Sequence, residues 1–181
     1  MKMLKRLCAP YLRFRHTRGF GIHSPYAYRF VTDVLRPGDY GYYAFERLCH
    51  LGNLSPKNEA EARKIVRLLI FLKAQKVVTD SFMPSVSAAA FALNIPCITI
   101  QEGKDYCFAE GDVLFTTRKG TAGILKRGRT IPGAIMAVNP HQELLDIITQ
   151  PRDHGLLLNG KRNILLIPRK DMAYVCYEIN L

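Results

Sequence analysis

Lys76-Val77-Val78-Thr79-Asp80-Ser81-Phe82-Met83-Pro84-Ser85-Val86-Ser87-Ala88-Ala89-Ala90-Phe91-Ala92-Leu93-Asn94-Ile95-Pro96-Cys97-Ile98-Thr99-Ile100 is the stretch on which the fold turns. Residues 76–79 are a short β-branched run and read as a buried strand. Residues 80–85 form a proline-containing loop, and 86–93 are small apolar residues suited to a close-packed helix. Residues 95–100 are a second β-branched strand. Strand, helix and strand at this spacing make a βαβ unit, which requires parallel pairing and a right-handed crossover.

The same alternation continues downstream. Residues 112–116 and 134–138 read as strands, with a helical turn over 121–127 between them and an amphipathic helix over 140–149 after them. The end changes character, because 155–158, 163–167 and 173–179 all read as strands. Asn159-Gly160 is a hairpin signal between the first two. The pattern predicts an α/β three-layer sandwich, mostly parallel, with an antiparallel C-terminal edge.

Upstream, Ser24-Pro25 is a helix start, followed at helical spacing by Tyr26, Phe30, Val31, Val34 and Leu35 and stopped by Pro37-Gly38. A second short helix is expected around 45–51. Asn58 with Glu61 gives a capping-box start to a helix whose apolar stripe is Ala62, Ile65, Val66, Leu69 and Leu72. Residues 52–57 read as a linker. The expected organisation is therefore an N-terminal helical extension over 1–54 and an α/β domain over 55–181.

The chain has 181 residues, 48% hydrophobic and 23% charged, a composition that excludes wholesale disorder, collagen and coiled coil. No window approaches a membrane span, and the basic residues 1–11 lead into no apolar run, so neither a membrane segment nor a signal peptide is expected. Five cysteines (Cys8, Cys49, Cys97, Cys107, Cys176) without a CxxC pair read as buried thiols in a reducing, cytoplasmic setting, not as a disulfide framework or zinc site. The net charge is +11, and seven Lys and Arg precede the first acid, Asp33. Residues 11–45 also hold ten of the eighteen Phe and Tyr. Basic residues interleaved with aromatics can bind single-stranded nucleic acid through phosphate pairing and base stacking. The plainer reading, aromatics packed on the main domain with solvated arginines, is preferred.

In an open parallel sheet, ligands bind beyond the carboxyl ends of the strands. The loops to watch are therefore 80–85, 101–103, 116–119 and 139–141. The first is where a nucleotide-type cofactor would meet a helix N-terminus, yet it contains no glycine. Glu102, just after the second strand, suits ribose hydroxyls, or simply faces solvent. Arg118-Lys119-Gly120-Thr121 suggests a phosphate turn but lacks the spacing of a Walker loop. His23 beside Ser24 could act as a general base, although a cap at a helix start explains the pair better. His141 likewise reads as a neighbour of a helix cap.

The order of elements resembles the class I S-adenosylmethionine-dependent methyltransferases. It is most similar to a bacterial subgroup carrying an N-terminal extension like HGIHSPF and then YYAFE. Here these are Gly19-Phe20-Gly21-Ile22-His23-Ser24-Pro25-Tyr26 and Tyr42-Tyr43-Ala44-Phe45-Glu46. The resemblance implies a Rossmann-like fold and an S-adenosylmethionine site built from Thr79, Asp80, Ser81, Ser85 and Glu102. It offers Arg18, His23, Asn139 and His141 as weaker substrate or partner contacts. The departures are in the site itself. Thr79 stands at the family's acidic position unless Asp80 substitutes one residue late, and Ser81 and Ser85 stand at both glycines. About one βα unit between Gly103 and Asp112 is missing. Thr116-Thr117-Arg118 and Val138-Asn139-Pro140-His141 lack the family's carboxylates, so no metal site is expected.

Three readings follow. One is a methyltransferase-like domain that has lost or weakened its cofactor site and serves as a scaffold or interaction module. The second is a working methyltransferase with an atypical loop. The third is nucleic-acid binding through the basic segment. A working enzyme needs an open cleft above 80–85 with Glu102 facing it, whereas in a degenerate domain Phe82 or Met83 fills that space or another subunit covers it. The missing unit should also leave the second strand as an edge, covered by a homodimer partner or by the N-terminal segment.

Overall fold

The computed structural model describes residues 11, 14–16, 18, 19, 21–36, 42–51, 54–101, 106–117, 120–127, 130–150 and 152–181. Seven strands form one sheet: β1 (Lys76–Thr79), β2 (Cys97–Thr99), β3 (Asp112–Thr116), β4 (Ala134–Val138), β5 (Leu156–Asn159), β6 (Asn163–Ile167) and β7 (Val175–Glu178). Their order is β2-β1-β3-β4-β6-β5-β7. β2, β1, β3 and β4 are mutually parallel, β6 runs against both β4 and β5, and β7 is parallel to β5. The chain is thus α/β with a mostly parallel sheet, compatible with a Rossmann-like fold. One correction concerns the antiparallel element. It is the interior strand β6, inserted by the β5–β6 hairpin, and the outermost strand β7 is parallel to its neighbour. The hairpin is where Asn159-Gly160 signalled it, but the Gly160 amide bonds to the Asn163 carbonyl at 2.8 Å, so its tip is Lys161–Arg162.

Helices cover both faces. α1 (Pro25–Phe30, continued by a π-helical turn Val31–Leu35), α2 (Tyr43–His50), α3 (Pro56–Leu72) and α4 (Pro84–Leu93) share one face. α5 (Gly120–Arg127) and α6 (Gln142–Ile148) lie on the other. Alternation along β3 divides the layers: Val113 and Phe115 belong to the first core, Leu114 to the second. Each fully buried Leu, Ile or Phe contributes about 1.5–3 kcal/mol, so the two cores supply most of the driving force. Residues of the N-terminal segment, among them Phe30, Val34 and Leu48, are buried in the same cluster as α3 and α4.

Local chemistry sets the helix ends. α1 is capped by Ser24, whose Oγ accepts the Ala27 amide at 3.3 Å. α3 begins at Ser55-Pro56, not at Asn58 as its capping-box spacing suggested, because the Ser55 Oγ accepts the Asn58 amide. Glu61 is thereby released from capping and instead accepts the Ser85 hydroxyl at 3.1 Å. α4 begins at Pro84, so the loop after β1 is shorter than expected, and it ends on Asn94 in the left-handed region, where Arg47 of α2 donates to the Asn94 amide oxygen at 2.8 Å.

Among the described residues, no helix or strand lies between β2 and β3. The crossover instead packs Phe108 into the second core beside Tyr106, with ring centroids 4.9 Å apart, and is pinned by Asp112, which accepts the Ala109 amide and pairs with Lys76. β2 is left as an edge, with Cys97, Ile98 and Thr99 all exposed. The N-terminal cover expected there is not found among the described residues. That segment packs on α3 and α4 and reaches the opposite edge, where His16 bonds the Glu178 carbonyl of β7 at 2.7 Å. The cysteine expectation is also corrected. Cys49, Cys97, Cys107 and Cys176 are exposed and free, two of them because they sit on the edge strands β2 and β7. Cys8 lies outside the described residues. No described helix is long and apolar enough to cross a membrane.

Candidate functional site

The carboxyl end of the sheet brings together the loops after β1, β3 and β4. Asp80 sits first in its loop and is 6% exposed. Its Oδ2 accepts the Thr116 hydroxyl at 2.5 Å, the Thr117 amide at 2.8 Å and the Thr121 hydroxyl at 2.8 Å. Its Oδ1 accepts the hydroxyls of Ser81 at 3.0 Å and Thr117 at 3.3 Å. A carboxylate holding so many donors is saturated, and its work is to clamp the β1 loop to the β3–α5 turn. Thr79, buried in β1, is committed sideways, its hydroxyl 3.1 Å from that of Thr99 on β2. Ser81 is bonded to Thr117 at 3.2 Å as well as to Asp80. Ser85 is buried and spends its hydroxyl on Glu61.

These residues do not fit S-adenosylmethionine. No residue from Thr79 to Ser85 has a positive φ, so the sharp glycine-type turn that would admit the cofactor backbone-close is not made. The one acid of the loop is turned into the protein. Glu102, the expected ribose ligand, lies outside the described residues. Among the described residues there is also no group of three or more His, Cys, Asp or Glu able to hold a metal ion.

An open cleft of about 800 Å³ does lie beside this clamp. It spans from the 82–86 segment across Thr117 and Asn139 to the β6 end of the sheet, with α1 and α3 as its wall. Neither Thr79, Asp80 and Ser81 nor any β2 residue lines it, so it lies on the opposite side of β1 from the ribose position. Phe82 does not fill it, being 78% exposed, and Met83 is half-buried against the first core. The cleft is therefore open over the second half of the loop and closed over the first.

Of the eight described residues among those expected from sequence, Ser85 and Asn139 line this cleft. Asn139 follows β4 directly at φ +47, and its backbone N–H donates to the Arg162 carbonyl at 2.7 Å, tying that strand to the hairpin tip. His141 is the residue before α6, exposed and without a side-chain cap bond. His23 and Ser24 serve at the far edge, where their amides donate to the Tyr177 hydroxyl, each at 3.2 Å. Arg18 is exposed, its guanidinium 4.0 Å above the Phe14 ring. Lys57, Glu61, Lys64, Lys161 and Arg162 line the cleft and were missed. The first three recur at i, i+4 and i+7 on α3, a readable spacing. The last two became neighbours only when the hairpin folded back beside β4.

Comparison with family models, with curated proteins and with solved structures finds no match for this chain.

Proposed function

We infer that the chain is a methyltransferase-like domain without a working S-adenosylmethionine site, serving as a binding or interaction module. The observation that carries this is the saturation of Asp80. In the resembling family, the acid and glycines of this loop receive the cofactor. Here the acid, one residue late, holds three threonines and a serine, and serines replace the glycines. Electrostatics support the same reading. S-adenosylmethionine carries a sulfonium and an ammonium against one carboxylate, a net cation, whereas Lys57, Lys64, Lys161 and Arg162 ring the neighbouring cleft. The exposed β2 edge suits self-association through strand pairing, which makes a homodimer the preferred partner arrangement.

The test is calorimetric titration with S-adenosylmethionine and S-adenosylhomocysteine. The expected result is no binding at millimolar ligand. Micromolar binding that is lost on Glu102→Ala would overturn the reading and restore an active methyltransferase. The nucleic-acid reading keeps one favourable observation: Tyr11, Phe14, Arg15 and Arg18 are exposed, with Arg15 over the Tyr11 ring and Arg18 over the Phe14 ring.

A further inference from the structure

Ion pairs hold Arg29, Arg63, Lys76, Lys126 and Arg169 against Asp33, Glu59, Asp112, Glu143 and Asp171, and other described cations stand singly over the surface. The mouth of the cleft gathers four of these single cations in one place. Lys57 and Lys64 on α3 and Lys161 and Arg162 on the hairpin tip all line it, and among the described residues none of the four makes an ion pair. Glu61, between the two lysines on the same helix face, accepts the Ser85 hydroxyl and keeps its negative charge, so four cations face one carboxylate at this opening. The remaining excess of positive charge is repulsive, and an anion seated there relieves that repulsion.

The charges are also held in place. Lys57 and Lys64 ride on a 17-residue helix capped by Ser55, and the hairpin tip is fastened by the Asn139–Arg162 bond. Opposite them, the first turn of α4 borders the cleft with no side-chain cap on its amides. Below this polar mouth the lining turns apolar, with Leu35, Met83, Met136 and Leu181 partly exposed over the buried Leu68, Phe115 and Leu165. A volume of about 800 Å³ exceeds what a bare inorganic ion needs and is in the range of small-molecule sites.

We propose that this cleft binds an amphipathic anion: a carboxylate or phosphate head held by Lys57, Lys64, Lys161 and Arg162, and an apolar body laid against Leu35, Met83 and Met136. This goes beyond the absence of a methyltransferase site and is independent of it, since Asp80 and Glu102 take no part.

The full chain is titrated with the fluorescent probe 1-anilinonaphthalene-8-sulfonate, and the bound probe is competed with decanoate, phenyl phosphate, inorganic phosphate and decyltrimethylammonium. One saturable site is expected, displaced by decanoate or phenyl phosphate and not by the cation. Decyl phosphate, which matches decanoate in its tail, is titrated alongside, and whichever of these two displaces at lower concentration identifies the head group, carboxylate or phosphate. Lys161→Glu with Arg162→Glu should weaken probe binding about tenfold, the effect of reversing two exposed charge contacts. Lys170→Glu, an exposed position off the cleft, should change it less than twofold, which separates the cleft from the general basicity of the chain. Lys64→Gln should weaken binding about threefold and gives a second, milder variant if the charge reversals unfold. Equal displacement by the cation, full displacement by inorganic phosphate alone, or equal loss in Lys170→Glu would each overturn the proposal.

Discussion

Asp80→Asn isolates the clamp that closes the β1 loop. The substitution keeps size and shape, so no cavity forms. It removes the charge and points an amide NH2 at a site already crowded with donors. Thr116 and Thr121 are 0% and 1% exposed, and the Thr117 amide has the Asp80 Oδ2 as its acceptor at 2.8 Å. An orphaned buried donor costs about 1–3 kcal/mol. One Asn oxygen still accepts, so the expected loss is about 2 kcal/mol, and Asp80→Ala, which leaves all donors unserved, should cost about 4 kcal/mol. Thr121→Val alone should cost about 1 kcal/mol. In the Asp80→Asn background it should cost less, because the acceptor strength that the Thr121 hydroxyl relies on is already reduced. The assay is urea unfolding followed by circular dichroism at pH 7, with the double-mutant cycle giving a coupling of about 1 kcal/mol. A loss under about 0.5 kcal/mol for Asp80→Asn, with no coupling to Thr121, would refute the clamp.

Gly133→Ala would place a Cβ 2.0 Å from the Glu110 carbonyl oxygen, so β4 must shift away from the start of β3; we expect about 3 kcal/mol of lost stability by chemical unfolding, and a neutral effect would show the contact to be soft. Burial raises the Tyr26 hydroxyl above the usual tyrosine range, against the opposing hydrogen bond from Arg169. The folded state thus keeps a proton that the unfolded chain gives up, so stability should fall as pH rises above about 10, and Tyr26→Phe should flatten that slope. Tyr174, also raised by burial, should leave a residual slope in that variant. If β2 edges pair between two copies, Ile98→Lys should convert dimer to monomer in sedimentation velocity; a monomeric parent chain would remove the homodimer from the proposal. Salt-dependent retention on heparin should drop when residues 1–18 are deleted if that segment binds polyanions, and unchanged retention would assign the effect to the cleft and the remaining surface.

The strands β1, β3, β4 and β6 are legible residue for residue, because a buried central strand needs an apolar β-branched run and little else in the chain supplies one. The end strands read longer than they are: residues 95–100 suggested six residues where β2 has three, since an edge strand is paired on one side only. Capping misled at Asn58 because Ser55-Pro56 is a stronger start three residues earlier in the chain, a competition that local spacing alone does not rank. Thiol burial misled because apolar character says that a cysteine can be buried, not that its strand lies inside the sheet.

The sequence by itself determined the α/β alternation, the parallel βαβ start, the short connection before Asp112 and the glycine-free loop after β1. These are local properties, written in period, length and residue type. The tertiary structure decided what the remaining polar groups do. Asp80 could have faced a ligand; Thr116, Thr117 and Thr121, some forty residues later, turn it inward. Lys57 and Lys64 meet Lys161 and Arg162 at one cleft because β6 inserts beside β4 and carries the hairpin tip to the carboxyl end of the sheet. Pairing between distant segments follows from the summed packing of the whole sheet, so no local window contains it.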